Sequence, residues 1–183
     1  MRNLVYAINL TIDGCFDHTK MTPSEDLYEF YINLLKKSDL LLYGRITYEL
    51  MIPYWPDIAK TQSESKGTND FANTFTSVPK AVVSRTLESV EEGSRIIRAN
   101  LKKEVIKLKN QPGKNILMGG VDLPSQLIAL GVVDEFYFVV HPVLAGDGRR
   151  LLEGANLPEK LKLSLVESQP IGAGCVALHY RKQ

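Results

Sequence analysis

Apolar positions along the chain fall into two recurring rhythms, short continuous runs and helical i, i+3, i+4 spacings, and their order predicts the architecture. Residues 4–10 mix Val, Ile and Tyr with small polar residues and stop at the turn signal Asp13-Gly14, which predicts a first strand. In Thr22-Pro23-Ser24-Glu25, Thr22 is placed to cap a helix, Pro23 suits its first position and Glu25 completes a capping box. Leu27, Phe30, Tyr31, Leu34 and Leu35 then share one face, so an amphipathic helix is expected over 23–37. The almost wholly apolar run 39–43 reads as a strand covered on both faces, ended by Gly44 before a short helical pattern over 45–51.

Residues 53–78 turn polar, and with only Phe71 and Phe75 suggesting a turn or two of helix they read as a long connection. Strands are expected at 80–84, 95–98 and 115–118. Between the last two, Asn100 is placed to cap a helix carrying Leu101, Val105 and Leu108 on one face. Gly119-Gly120 leads into another helix, with Leu123, Leu127 and Leu130 aligned and Gly131 closing it. After a strand at 133–140, the alternation of Leu161, Leu163 and Leu165, and then of Val176, Leu178 and Tyr180, around a turn at 170–174 predicts an antiparallel hairpin. The pattern is that of one α/β domain spanning residues 1–183, with a mostly parallel central sheet flanked by helices and an antiparallel C-terminal hairpin.

Composition adds exclusions. Twenty-two Lys+Arg against 21 Asp+Glu leave a formal net charge of +1, without the basic excess of a general nucleic-acid binder. No stretch approaches the roughly 20 apolar residues of a membrane span, and Asn3 and Asn9 interrupt the apolar start, so a cytoplasmic protein is expected. Cys15 and Cys175 are too few for a disulfide framework and lack metal-ligand spacing, so they are expected to be buried free thiols, with no metal site. Of three histidines, His179 sits in the hairpin pattern and is expected to serve structure.

Candidate chemistry concentrates where strands end. Leu40 to Tyr48 runs from a buried strand through Gly44 into a helix whose first turn holds Arg45 and Thr47. There, unpaired helix N–H groups, a guanidinium and a hydroxyl suit a phosphate. Gly119 and Gly120 repeat the geometry at a second strand-to-helix junction, and Ser84-Arg85 would bring a hydroxyl and a cation to the same rim. Trp55 is a candidate to stack on a planar substrate.

Ile12-Asp13-Gly14, the 39–48 segment, Val82 to Leu87, Leu117-Met118-Gly119-Gly120, Val133-Asp134-Glu135 and Pro142 to Arg149 occur in an order that resembles the dihydrofolate-reductase-like family. The branch resembled is that of the reductase domains of riboflavin biosynthesis proteins. The resemblance covers nearly the whole chain and implies NADPH as cofactor. On it, Gly44, Arg45 and Thr47 match the motif that holds the cofactor phosphates. Ser84 and Arg85 match the strand end near the adenosine 2′-phosphate, and Gly119 and Gly120 match the glycines under the diphosphate, often joined by a cis peptide. Asp13 matches an acidic residue beside the substrate pocket and is the candidate catalytic group; Glu25 and Asp26 lie where true dihydrofolate reductases keep a carboxylate. The implied activity is hydride transfer from NADPH to a small heterocyclic or ribosyl-pyrimidine-type substrate, with a homodimer as the expected assembly. The zinc-deaminase signature of the bifunctional relatives is absent from these 183 residues, which puts a stand-alone reductase beside the pathway enzyme. A non-catalytic NADP(H)-binding or sensor protein and dihydrofolate reductase itself are the alternatives.

Overall fold

In the computed structural model, which describes residues 1–153, 157 and 160–183, eight strands form one sheet. They are β1 (Leu4–Thr11), β2 (Ser38–Gly44), β3 (Lys80–Val83), β4 (Arg95–Ile97), β5 (Asn115–Met118), β6 (Glu135–His141), β7 (Leu163–Ile171) and β8 (Cys175–Lys182). The helices are α1 (Glu25–Lys36), α2 (Arg45–Thr61), α3 (Lys66–Ser77), α4 (Leu101–Asn110) and α5 (Asp122–Ala129). The sheet order is β4-β3-β2-β5-β1-β6-β8-β7. All pairs are parallel except β6 with β8 and β8 with β7, so the expected α/β class and C-terminal hairpin are both present.

Strand parity builds the layers. Successive side chains point to opposite faces, so Leu4, Tyr6 and Ile8 of β1, Leu40 and Leu42 of β2, and Ile116 and Met118 of β5 bury together against Val105, Leu108, Leu123 and Leu127 of α4 and α5. The intervening Val5, Ala7, Leu41, Tyr43 and Leu117 bury against Ile32, Leu34 and Leu35 of α1, Tyr48 of α2, and Phe71 and Phe75 of α3. This double burial is why the central strands read as unbroken apolar runs. Asn9, two positions beyond Ala7, belongs by the same parity to the α1–α3 face.

Three expectations are corrected. Residues 53–78 hold no long loop: α2 continues to Thr61 and α3 follows after four residues. Most of their polar residues face outward, while Thr68, Phe71, Ala72 and Phe75 bury and Ser65 caps α3 by accepting from the Thr68 N–H. Second, α1 starts at Glu25, capped by Ser24 rather than Thr22. Glu25 forms no capping box; its carboxylate accepts from the Gly67 N–H at 2.7 Å and from the Ser65 hydroxyl, and so caps α3 instead. Third, Asn100 precedes α4 with a left-handed backbone (φ +52°) and no side-chain cap bond. Cys15 and Cys175 are buried free thiols, and His179 pairs with Glu135 at 3.0 Å while stacking on Tyr137. No described helix is long and apolar enough to cross a membrane.

Candidate active site

The carboxyl ends of β3, β2, β5, β1 and β6 open onto one cleft of about 1090 Å³, whose lining includes Gly44, Arg45, Thr47, Trp55, Ser84, Arg85, Gly119 and Gly120. These eight residues singled out in the sequence therefore meet in one place. Gly44 caps α2 with extended backbone (φ −77°), so its lack of a side chain serves space rather than conformation. Arg45 and Thr47 lie in the first turn of α2, and Arg45 is held by Glu49 at 2.9 Å, an exposed i, i+4 pair.

The two glycines after β5 differ. Gly120 has φ +83°, its carbonyl accepts from the Tyr6 hydroxyl at 2.9 Å, and a Cβ on it would strike the Thr47 hydroxyl. Gly119 lies outside the left-handed region, and a Cβ there would stand 3.6 Å from Tyr43 Cε1 and 3.8 Å from the Ala7 carbonyl oxygen, which is ordinary contact. The chain has room for a Cβ at Gly119, and the bare backbone leaves that room to a ligand. No peptide among the described residues is cis, so the Gly119-Gly120 bond is trans, contrary to the family expectation.

At the end of β3, the Ser84 hydroxyl oxygen accepts from the N–H groups of Thr86 (3.2 Å) and Leu87 (2.9 Å). Arg98 donates to the carbonyls of Arg85 and Leu87, fixing the same turn. The exposed Arg85 guanidinium has no ion-pair partner among the described residues. A fixed backbone carrying an uncommitted guanidinium is a preorganised anion donor, because none of the turn must order on binding.

Asp13 is placed elsewhere, which corrects the expectation that it stands beside the substrate. It is not among the residues lining the cleft. Its carboxylate accepts from the Thr11 hydroxyl at 2.6 Å and from the N–H groups of Ala145 and Gly146 at 3.0 Å each, and it pairs with Arg150 at 3.3 Å. The Thr11 hydroxyl and these backbone donors hold its pKa well below the ordinary 3.8, so it remains ionised and ties the 145–150 segment to the end of β1. Asp13→Asn is expected to lower the melting temperature at pH 7 while leaving ligand affinity at the cleft intact. Because the folded pKa is depressed, the stabilising contribution is present above pH 3.8 and is lost as pH falls through the folded pKa. Thermal melts of both proteins should therefore converge in strong acid; a gap that persists there would show that the charge is not its source.

Trp55 lies in α2 rather than in a loop. Its ring meets Phe71 edge-on at 4.6 Å, with Tyr28 and Tyr54 also edge-on, and its Nε1–H donates to Met51 Sδ at 3.3 Å. It both lines the cleft and joins α2 to α3. Neither Glu25 nor Asp26 lines the cleft.

Sequence reasoning missed a polar chain at the β1–β6 side. Tyr31 donates its hydroxyl to Asn9 Oδ1 at 3.0 Å, His141 Nε2 stands 3.3 Å from the same oxygen, and His141 Nδ1 stands 3.4 Å from Cys175 Sγ. Burial lowers the His141 pKa and raises those of Cys175 and Tyr31, so all three are neutral near pH 7. The available signal was Asn9 itself, an amide inside an otherwise apolar strand.

Residues 2–177 match the RibD C-terminal domain family. The chain is 30% identical over 187 aligned positions to the uncharacterized protein YyaP of Bacillus subtilis (strain 168), covering 98% of this chain and 94% of that one. Among solved structures, a protein from Shewanella sp. PV-4 superposes with a TM-score of 0.74 at 19% identity over 100% of this chain and 99% of that chain. The diaminohydroxyphosphoribosylaminopyrimidine deaminase/5-amino-6-(5-phosphoribosylamino)uracil reductase of Thermotoga maritima gives 0.69 at 13% identity, over 100% of this chain and 57% of that one. At these identities the two structures establish the shared fold.

Proposed function

The chain belongs to the RibD C-terminal domain family, and from that premise we propose that it is an NADPH-dependent reductase of a small heterocyclic substrate, with ribosylamino-pyrimidines as the precedent. The observation that carries this reading is the convergence on one cleft of three strand ends, with Arg45 and Thr47 after β2, Arg85 after β3 and the open backbone of Gly119 after β5. Ligands of open α/β sheets sit at this end of the strands. The cofactor, when bound, supplies a hydride; the protein's task is to bind, orient and exclude water.

In that division of labour, Gly119 offers backbone without a side chain in the way, and the α2 N-terminus with Thr47 offers donors to phosphate oxygens. Arg85 is the better 2′-phosphate donor than Arg45, because Arg45 must first leave Glu49. The reading as dihydrofolate reductase is not favoured, since α1 lines the cleft with Leu27, Tyr28, Tyr31 and Leu35 and sends no carboxylate into it. A homodimer fits β7, an edge strand with Leu165 55% and Val166 48% exposed.

The test is calorimetric titration with NADPH and with NADH, then NADPH oxidation followed by absorbance with pyrimidine substrates. A charge-assisted bond contributes about 1.5 to 3 kcal/mol, so the protein should prefer NADPH by roughly tenfold or more, and Arg85→Ala should remove most of that preference. Equal affinity for both cofactors would sink the assignment of Arg85. Binding without oxidation of NADPH by any pyrimidine would favour the sensor alternative.

A further inference from the structure

The lining of the same cleft narrows its substrate chemistry, an inference that rests on the cofactor reading above. Among the described residues lining the cleft, the charged ones are Arg45, Arg85, Asp122 and Arg149. Arg45 and Arg85 stand at the β2–β3 side where the cofactor is proposed to lie, while Arg149, over the Phe16 ring at 5.3 Å between the ends of β5 and β1, is already paired with Asp122 at 3.1 Å. Across β1, α1 and β6 the lining changes to Asn9, Leu27, Tyr28, Tyr31 and His141, closed by Trp55. His141 is neutral by burial, and His18 lies at the exposed lip.

The orientation of Asn9 follows from its neighbours. Tyr31 donates its hydroxyl to Asn9 Oδ1, so His141 Nε2, 3.3 Å from that acceptor oxygen, carries the imidazole proton, and the unprotonated Nδ1 faces the Cys175 thiol at 3.4 Å. Nε2–H then donates to Asn9 Oδ1, which also receives the Tyr31 hydroxyl. Both lone pairs of Oδ1 are used, and the Nδ2 amide donor, which has no protein partner among the described residues, is left for a ligand.

We propose that this half of the cleft takes an uncharged, planar heterocycle that carries no phosphate, held between aromatic walls with a ring carbonyl oxygen accepting from Asn9 Nδ2. A phosphate set among these apolar walls would be desolvated without a free cation to pair with, whereas a lactam carbonyl meets the Asn9 amide donor. Asn9 is thus a specificity-determining residue, locked in orientation from behind by Tyr31, His141 and Cys175.

The experiment titrates 5-amino-6-(ribosylamino)uracil and its 5-phosphate into the NADP⁺-saturated protein and into the protein alone, with NADPH titrated separately. The unphosphorylated ribosylamino compound should bind at least tenfold more tightly than its phosphate ester. A phosphate ester that binds as well or better, or failure of both compounds to bind, overturns the proposal. Loss of NADPH binding alone overturns the cofactor reading and leaves the titration of the cofactor-free protein to decide this one. Asn9→Asp keeps oxygens for Tyr31 and His141 while replacing the amide donor with a charged acceptor, so it should weaken binding of the unphosphorylated compound at least tenfold with NADPH affinity unchanged. Asn9→Ser, which shortens the reach instead of adding charge, should do the same and stands in if Asn9→Asp fails to fold. A folded variant that binds the unphosphorylated compound as the parent does refutes the role of Asn9.

Discussion

Gly119→Ala is expected to weaken NADPH binding at least tenfold, about 1.4 kcal/mol, at an unchanged melting temperature, whereas Gly120→Ala loses both affinity and stability. The two positions are adjacent but physically unlike. At Gly119 the new methyl meets only Tyr43 and the Ala7 carbonyl at contact distance, and the backbone is one that alanine adopts freely. Whatever that methyl obstructs must come from outside the chain. At Gly120 the positive φ of +83° costs an L-residue about 1 to 2 kcal/mol, and the methyl would also displace the Thr47 hydroxyl. Strain at this junction also disturbs the carbonyl that receives the Tyr6 hydroxyl. Calorimetry and thermal melts on the pair separate ligand obstruction from backbone strain, which neither substitution does alone. Normal NADPH affinity in a folded Gly119→Ala protein would move the diphosphate away from β5.

The same pair shows what a sequence can and cannot reveal. Gly44, Arg45, Thr47, Ser84, Arg85, Gly119 and Gly120 were legible because each follows an apolar run whose end fixes its place at the carboxyl edge of a parallel sheet. Roles were less legible than places. The Ser84 hydroxyl oxygen serves its own turn, Arg45 is engaged by Glu49, and only the structure singles out Arg85 as a cation of the cleft without an ion-pair partner among the described residues. Asp13 was misjudged because an Asp-Gly turn looks alike whether its carboxylate meets a substrate or the backbone of residues 132 and 133 positions further on. Asn9 reads in the sequence only as a break in the apolar start, for the complementary reason: its partners Tyr31 and His141 lie 22 and 132 residues away, beyond any local pattern.

Trp55 shows the same limit for the long polar stretch, and Trp55→Ala is expected to cost about 3 kcal/mol of stability, the lower end for removing a large aromatic from a packed site, because the side chain is only partly buried. α2 contains Pro53 and Pro56, neither of which donates a helical hydrogen bond, so the 53–61 part of the helix is weak on backbone grounds. What holds it is the aromatic packing of Trp55 on Phe71, Tyr28 and Phe75, joining α2 to α3 and α1. Removing the indole should lower the denaturant midpoint with the slope unchanged, and should speed amide exchange over residues 57–61 more than over 45–51. Trp55→Phe, which keeps a ring in the cluster, should recover more than half of the loss. The first turn of α2, with Arg45 and Thr47, lies before both prolines, so NADPH affinity should fall far less than stability. If the midpoint instead stays put while binding of the heterocycle alone collapses, the indole is a stacking platform for substrate, and the cohesion of α2 with α3 must be assigned to Phe71 and Phe75.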